Sequence, residues 1–227
     1  MLKILDAFLR YLFQNRQNIR DLKVSRSNGG FSISIGDKPA PTALDGYKGL
    51  SDQELIESLE QDIDHFWRTV PFHTIFMLYD IPIERSPLGG TCTDRTLLFF
   101  DFIKEKYGSR LNIRLHRATI KGKETHTVLL VMIGSVQYLI DIGANWPVMK
   151  LIPCNENFAF TAFGIAFHSE IDDNLVRVFM KSSESQEFQG FMTVDLKRQT
   201  TEYVEHSIKR RFDHANKLPF SNGLRFA

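Results

Sequence analysis

Cysteine is scarce in this chain, and the scarcity excludes a whole class of folds. Two cysteines, Cys92 and Cys154, in 227 residues make no disulfide framework. They read as free thiols of a reducing compartment. Charge of one sign is lacking too. A formal net charge of +1 gives neither nucleic acid nor an anionic membrane a reason to bind. No apolar run reaches the length of a membrane span. The apolar N-terminus is broken by Lys3, Asp6 and Arg10 and has no small-residue cleavage site, so a secretory leader is not expected and a cytoplasmic location is. The seven histidines and two cysteines show no metal-ligand spacing such as Cys-x-x-Cys or His-Glu-x-x-His. Gly89-Gly90 leads into cysteine, not lysine, so it is no phosphate loop. No tightly bound cofactor or metal is expected.

What is present is an ordinary globular composition, 43% hydrophobic and 24% charged, in a chain able to bury one large or two small cores. The 19 phenylalanines suit a Phe-rich core, some of them lining an aromatic pocket. Leu2, Leu5, Phe8, Leu9, Leu12 and Phe13 recur at helical spacing. Residues 25–49 are rich in Gly, Ser and Pro, with Phe31-Ser-Ile-Ser-Ile35 alternating as a short strand; the stretch reads as an inserted hairpin or a loop. Ser51-Asp-Gln-Glu54 is a capping box ahead of Leu55, Leu59, Ile63 and Phe66 on one helical face. After residue 108 the pattern changes to strands. Residues 111–119 alternate, with Leu111, Ile113 and Leu115 on one face and His116 on the polar, surface side. Further β-like runs follow at 158–160, 175–180 and 190–195. The expected architecture is α+β: a helical segment, 1–108, packed on an antiparallel β-barrel or sheet, 109–227.

The chemistry gathers between residues 89 and 141. In Gly89-Gly90-Thr91-Cys92-Thr93-Asp94, Thr91 and Asp94 form a second capping box, which makes Cys92 the first residue of a helix. The helix dipole and the unpaired first-turn N–H groups there favour thiolate over thiol. His126 then opens Thr127-Val-Leu-Leu-Val-Met-Ile133. After Gly134-Ser135 comes Val136-Gln-Tyr-Leu-Ile140, closed by Asp141. This is a hairpin with a Gly-x turn. If Ile133-Gly134 turns, His126 and Asp141 face each other directly; if Gly134-Ser135 turns, they are diagonal. Both registers put the two side chains on one face. A nucleophile, a base and an orienting carboxylate thus occur in the order Cys92, His126, Asp141.

These residues resemble the arylamine N-acetyltransferase family, within the transglutaminase- and papain-like group. That family carries Arg-Gly-Gly-x-Cys, a histidine opening an apolar strand, and Asp-x-Gly closing the next. Here they read Leu88-Gly89-Gly90-Thr91-Cys92, His126-Thr-Val-Leu-Leu-Val131 and Asp141-Ile142-Gly143. Pro71-Phe72-His73-Thr74 echoes the family's Pro-Phe-Glu-Asn. The resemblance implies a cysteine-protease-like core with Cys92, His126 and Asp141 catalytic. Its donor would be acetyl-coenzyme A or another acyl-coenzyme A, acting as co-substrate, and its acceptor a small-molecule amine. Phe72, Gly90, Thr91, Gly143, Asn145 and Trp146 are the implied substrate contacts. The chain departs from the pattern at His73 for Glu, Leu88 for Arg and Thr96 for Asn, and at Asn145-Trp146 for Phe-Gly. Relatives also continue into a C-terminal lid domain, so a more open site is expected here. Two other readings keep the residues and change the outcome. One is an amide synthase, a transglutaminase-like or protein-modifying thiol enzyme, or a hydrolase; the other is a non-enzymatic relative.

Overall fold

The computed structural model describes residues 22–27, 30–35, 49–74, 89–144, 146–181 and 187–213. The helix expected over residues 2–13 lies outside them. The chain divides into two compact units, Met1–Thr42 and Ala43–Ala227. In the first, β1 (Leu22–Ser27) and β2 (Gly30–Ile35) pair antiparallel. The rest of the Gly-, Ser- and Pro-rich stretch, 36–48, lies outside the described residues.

The second unit is α+β. Helix α1 (Asp52–Thr69) begins at the expected capping box: the Ser51 N–H donates to Glu54 Oε2 at 2.7 Å, and the Glu54 N–H donates to Ser51 Oγ at 3.3 Å. Helix α2 (Cys92–Tyr107) ends at Gly108, whose φ of 57° is the left-handed stop that glycine tolerates. Eight antiparallel strands follow. They are β3 (Asn112–Ile120), β4 (Lys123–Ile133), β5 (Val136–Ile140), β6 (Ile152–Pro153), β7 (Phe158–Ala162), β8 (Ile165–Asp172), β9 (Leu175–Lys181) and β10 (Gln189–Asp195). Their order across the sheet is β6-β5-β4-β3-β10-β9-β8-β7, and the sheet curls into a nearly closed barrel. A last helix, α3 (Thr201–Asp213), was not expected from the sequence. Among the described residues no helix is long and apolar enough to cross a membrane.

Strand β4 explains the layering. Its odd residues Leu129, Val131 and Ile133 pack with Leu55, Leu59, Ile63 and Phe66 of α1 and with Phe99, Ile103 and Tyr107 of α2. Its even residues Val128 and Leu130 pack with Leu139, Phe167, Val176, Val178, Met192 and Val194 across the barrel. Both faces of the strand are buried, which is why its sequence is a continuous apolar run. Each fully buried aliphatic side chain contributes roughly 1.5–3 kcal/mol, so this double burial fixes the register of β4 firmly.

His116 is a correction. The alternation placed it on a surface face, but it is fully buried on β3, with Nε2 2.6 Å from the carbonyl oxygen of Asp195. Strand β10 pairs with β3 in the sheet and brings the Asp195 carbonyl to this ring, and nothing local in the sequence announces a partner so far along the chain. Burial, chiefly, lowers the pKa of this imidazole, so it is held neutral.

Candidate active site

The segment before α2 is clamped by backbone contacts. Phe72 and Gly90 form a parallel bridge, the His73 N–H donates to the Gly90 carbonyl at 2.8 Å, and the Gly90 N–H donates to the Pro71 carbonyl at 3.2 Å. Gly89, at φ 86°, lies against the Pro71 backbone where any β-carbon would collide. Gly90, at φ 149°, leaves room for Asp94, whose Cβ would be 2.6 Å from an added methyl. The Thr91 N–H and hydroxyl both donate to Asp94 Oδ2, at 2.7 and 2.6 Å. Burial nonetheless pushes the Asp94 carboxyl up to about 6, against those two bonds. Cys92 is therefore delivered as the first residue of α2, as expected, with its first-turn N–H groups around it.

His126 sits just past a β-bulge. Ala118 pairs with His126 and Thr119 with Glu124, so Thr125 is the extra residue that re-aims the strand. In the next hairpin Leu129 pairs with Ile140 and Ile133 with Val136. The turn is therefore Gly134-Ser135, and Gly134 takes the positive φ of 57° that a type II′ turn asks of its first central residue. Asp141 lies diagonal to His126 on the same face. The two meet at 2.8 Å, Nε2 to Oδ1. Asp141 Oδ1 also accepts the Ala144 N–H at 3.0 Å. Both side chains are almost fully buried.

With Nε2 taken by Asp141, Nδ1 is the nitrogen left to face another partner. Burial alone would push the imidazole toward its neutral form. The charge and hydrogen bond of Asp141, with the influence of nearby Cys92, outweigh it and push the pKa up to about 10. Cys154, by contrast, lies among apolar barrel residues, and burial pushes its thiol up to about 12.

The other residues expected to contact substrate are placed as follows. Thr91 is the N-cap of α2. Gly143 touches the nucleophile turn: a β-carbon there would be 2.6 Å from the Cys92 carbonyl oxygen and 2.7 Å from Thr96 Oγ1. Trp146 is half-buried against the barrel cluster. Asn145 lies outside the described residues. Sequence reasoning missed the layer beneath. Thr93 Oγ1, 4.0 Å from Cys92 Sγ, is 3.0 Å from Thr127 Oγ1, which accepts a bond from Arg117 Nη1. Thr96 Oγ1 donates to the carbonyls of Cys92 and Thr127, at 2.8 and 3.1 Å. Arg95 and Arg117 are both buried. Their type gave no hint of this, because arginine on a helix or strand normally points outward.

No family model matches the sequence, and no curated protein does. Solved structures do. An arylamine N-acetyltransferase from Salmonella typhimurium superimposes with a TM-score of 0.63 at 17% identity, over 75% of this chain and 67% of that one. The Nocardia farcinica enzyme gives 0.62 at 13% identity, over 82% and 77%. The fold is that of the arylamine N-acetyltransferases. A third arylamine N-acetyltransferase, from Bacillus cereus, gives 0.62 at 15% identity, over 75% and 74%; its structure is described as having a unique Cys-His-Glu catalytic triad. At such identities the arylamine N-acetyltransferase likeness extends to the fold, and the chemistry must be argued from the residues above.

Proposed function

We propose that the protein is an acyltransferase of the arylamine N-acetyltransferase kind, working through a covalent acyl-Cys92. The observation that supports this most is the buried His126–Asp141 hydrogen bond at 2.8 Å, beside a cysteine that starts a helix. Acetyl-coenzyme A or another acyl-coenzyme A is the donor, and a small-molecule amine the acceptor. The structural neighbours' names carry the acetyl group and the arylamine, and coenzyme A is the carrier that the sequence resemblance implies.

The steps balance as follows. The Cys92 thiolate attacks the thioester carbonyl. First-turn backbone N–H groups of α2 stabilise the oxyanion. The intermediate collapses, the C–S bond to coenzyme A breaks, and the His126 imidazolium gives its Nδ1 proton to the leaving thiolate. The amine then attacks acyl-Cys92, neutral His126 takes the amine proton, and Cys92 leaves as thiolate with an amide formed. Asp141 keeps the imidazole oriented and offsets its charge throughout. Phe72, Gly90, Thr91, Gly143, Asn145 and Trp146 are the proposed substrate contacts, and the cytoplasm is the proposed compartment.

Incubation with acetyl-coenzyme A and no amine tests the reading. Intact-mass and peptide mass spectrometry should find one acetyl group, on Cys92, absent from Cys92→Ala. No adduct from a panel of acyl-coenzyme A donors, on protein whose Cys92 still reacts with iodoacetamide, refutes the donor. Iodoacetamide should label Cys92 at a pH well below that needed for Cys154. Equal, sluggish labelling of both thiols would instead fit a non-enzymatic relative.

A further inference from the structure

Arg95 is a buried cation that the scheme above leaves unused. It stands three residues after Cys92 on α2 and is 2% exposed. Its Nη1 donates to the Ala144 carbonyl at 3.1 Å. The N–H of the same residue donates to Asp141 Oδ1, the oxygen that also holds His126 Nε2. One residue therefore links the guanidinium to the carboxylate. Arg95 Nε and Asp141 Oδ2 are both buried without a hydrogen-bond partner among the described residues.

Charge counting gives this arrangement a purpose. Thiolate, imidazolium and carboxylate together carry a net charge of minus one, and an uncompensated charge in the interior is costly. A guanidinium beside them brings the total to zero. Burial weakens the hold of Arg95 on its proton, down to about 10, while attraction to Asp141 and to Cys92 works the other way. Other charged and titratable groups stand near by among the described residues. His126 from β4 and Asp141 after β5 belong to the array. Asp94 on α2 is bound by Thr91. Arg117 on β3 is linked toward Thr93, the neighbour of Cys92, through the hydroxyl of Thr127. His73 is buried on the segment paired with Gly90.

We propose that Arg95 is a positioning residue of this site: its guanidinium neutralises the Cys92, His126 and Asp141 array and ties loop 141–144 to the nucleophile helix. The proposal rests on the reading of Cys92 as a thiolate nucleophile. It needs no particular acyl donor.

The test is the pH profile of iodoacetamide alkylation at Cys92, read by peptide mass spectrometry on the full chain. R95K keeps the charge and loses the planar fork. R95Q keeps a donor for the Ala144 carbonyl and loses the charge; R95M loses both. The alkylation midpoint should stay near wild type in R95K and rise by about one pH unit or more in R95Q and R95M. Unmoved midpoints in the two neutral variants overturn the proposal, because a purely structural brace would lower stability without shifting the titration. Should neither neutral variant fold at neutral pH, circular dichroism at pH 5 decides. Recovery of native signal there, where protons remove negative charge, supports the proposal, and equal loss at both pH values overturns it. Absence of an acetyl adduct in every variant would instead refute the acyltransferase reading and leave this profile interpretable.

Discussion

His126 and Asp141 are hydrogen-bonded at 2.8 Å although they are not partners in the hairpin ladder. The carboxylate reaches diagonally along the face, and its Oδ1 is fixed from the other side by the Ala144 N–H. Geometry and charge can be separated here. Asp141→Asn can still present an oxygen to Nε2 and to Ala144, but it removes the charge that holds the proton on the imidazole. Acetylation of Cys92 in a single turnover should fall by about 10² to 10⁴ with the fold intact. A rate within about threefold of wild type would show that orientation alone suffices.

Gly143 fixes the distance between the two halves of the site. A β-carbon there would meet the Cys92 carbonyl oxygen at 2.6 Å, Thr96 Oγ1 at 2.7 Å and Cys92 Cβ at 3.1 Å. Two of these are backbone or the nucleophile itself, so α2 must move. Gly143→Ala should cost about 1–3 kcal/mol in stability and slow Cys92 acylation by at least about tenfold. Gly190→Ala is the control, since nothing lies within 4 Å of its added methyl. Thermal melts and single-turnover rates on the pair distinguish a local displacement from a general glycine effect.

The site was legible because its signals are local. The two capping boxes, the Gly-x turn and the period-2 alternation each involve residues within one element or one hairpin. They suffice to set Cys92 at a helix start and His126 and Asp141 on one face of a hairpin. What was missed depends on distant chain. His116 takes its hydrogen-bond partner from Asp195, at the end of the neighbouring strand β10. Arg95 is buried because the first turns of α2 are enclosed on all sides, with residues 92–97 all buried. Among its described side chains helix α3 has Val204 and Ile208 as buried apolar residues, too few to stand out in a charged sequence. Strand β8 mixes polar and apolar residues without strict alternation, and its pairing with β7 and β9 supplies what its pattern lacks.

The raised pKa of His126 makes stability depend on pH in a stated direction. The folded value, about 10, lies above the ordinary 6.5. The contribution is therefore fully present below about pH 6.5 and is lost as the pH climbs through about 10. Wild-type protein should lose more melting temperature between pH 7 and pH 10 than His126→Asn, which has no proton to lose in that window. Melting curves across the range check this. Parallel profiles for the two proteins would mean that the imidazole is not held charged in the native state.

Helix α3 ties down the start of the strand that carries His126. Tyr203 donates to both oxygens of Glu124, at 2.9 and 2.8 Å, and Ser207 Oγ donates to Oε2 at 3.3 Å. Glu124 is two residues before His126, at the edge of the bulge. Beneath these bonds, Val204 and Ile208 pack on Leu97 of α2. The polar part is half-exposed, so Tyr203→Phe should cost no more than about 1 kcal/mol and leave the Cys92 rate nearly unchanged. The apolar part is the stronger half. Val204→Asp buries an unpaired charge, which should cost about 3 kcal/mol or more and release α3. Hydrogen exchange then separates two outcomes. If α3 acts on the start of β4, amides 123–127 should lose protection while 129–133, covered by α1 and α2, keep theirs, and Cys92 alkylation should slow as His126 is freed. Uniform loss of protection along β4 would instead make α3 an integral part of the cooperative core.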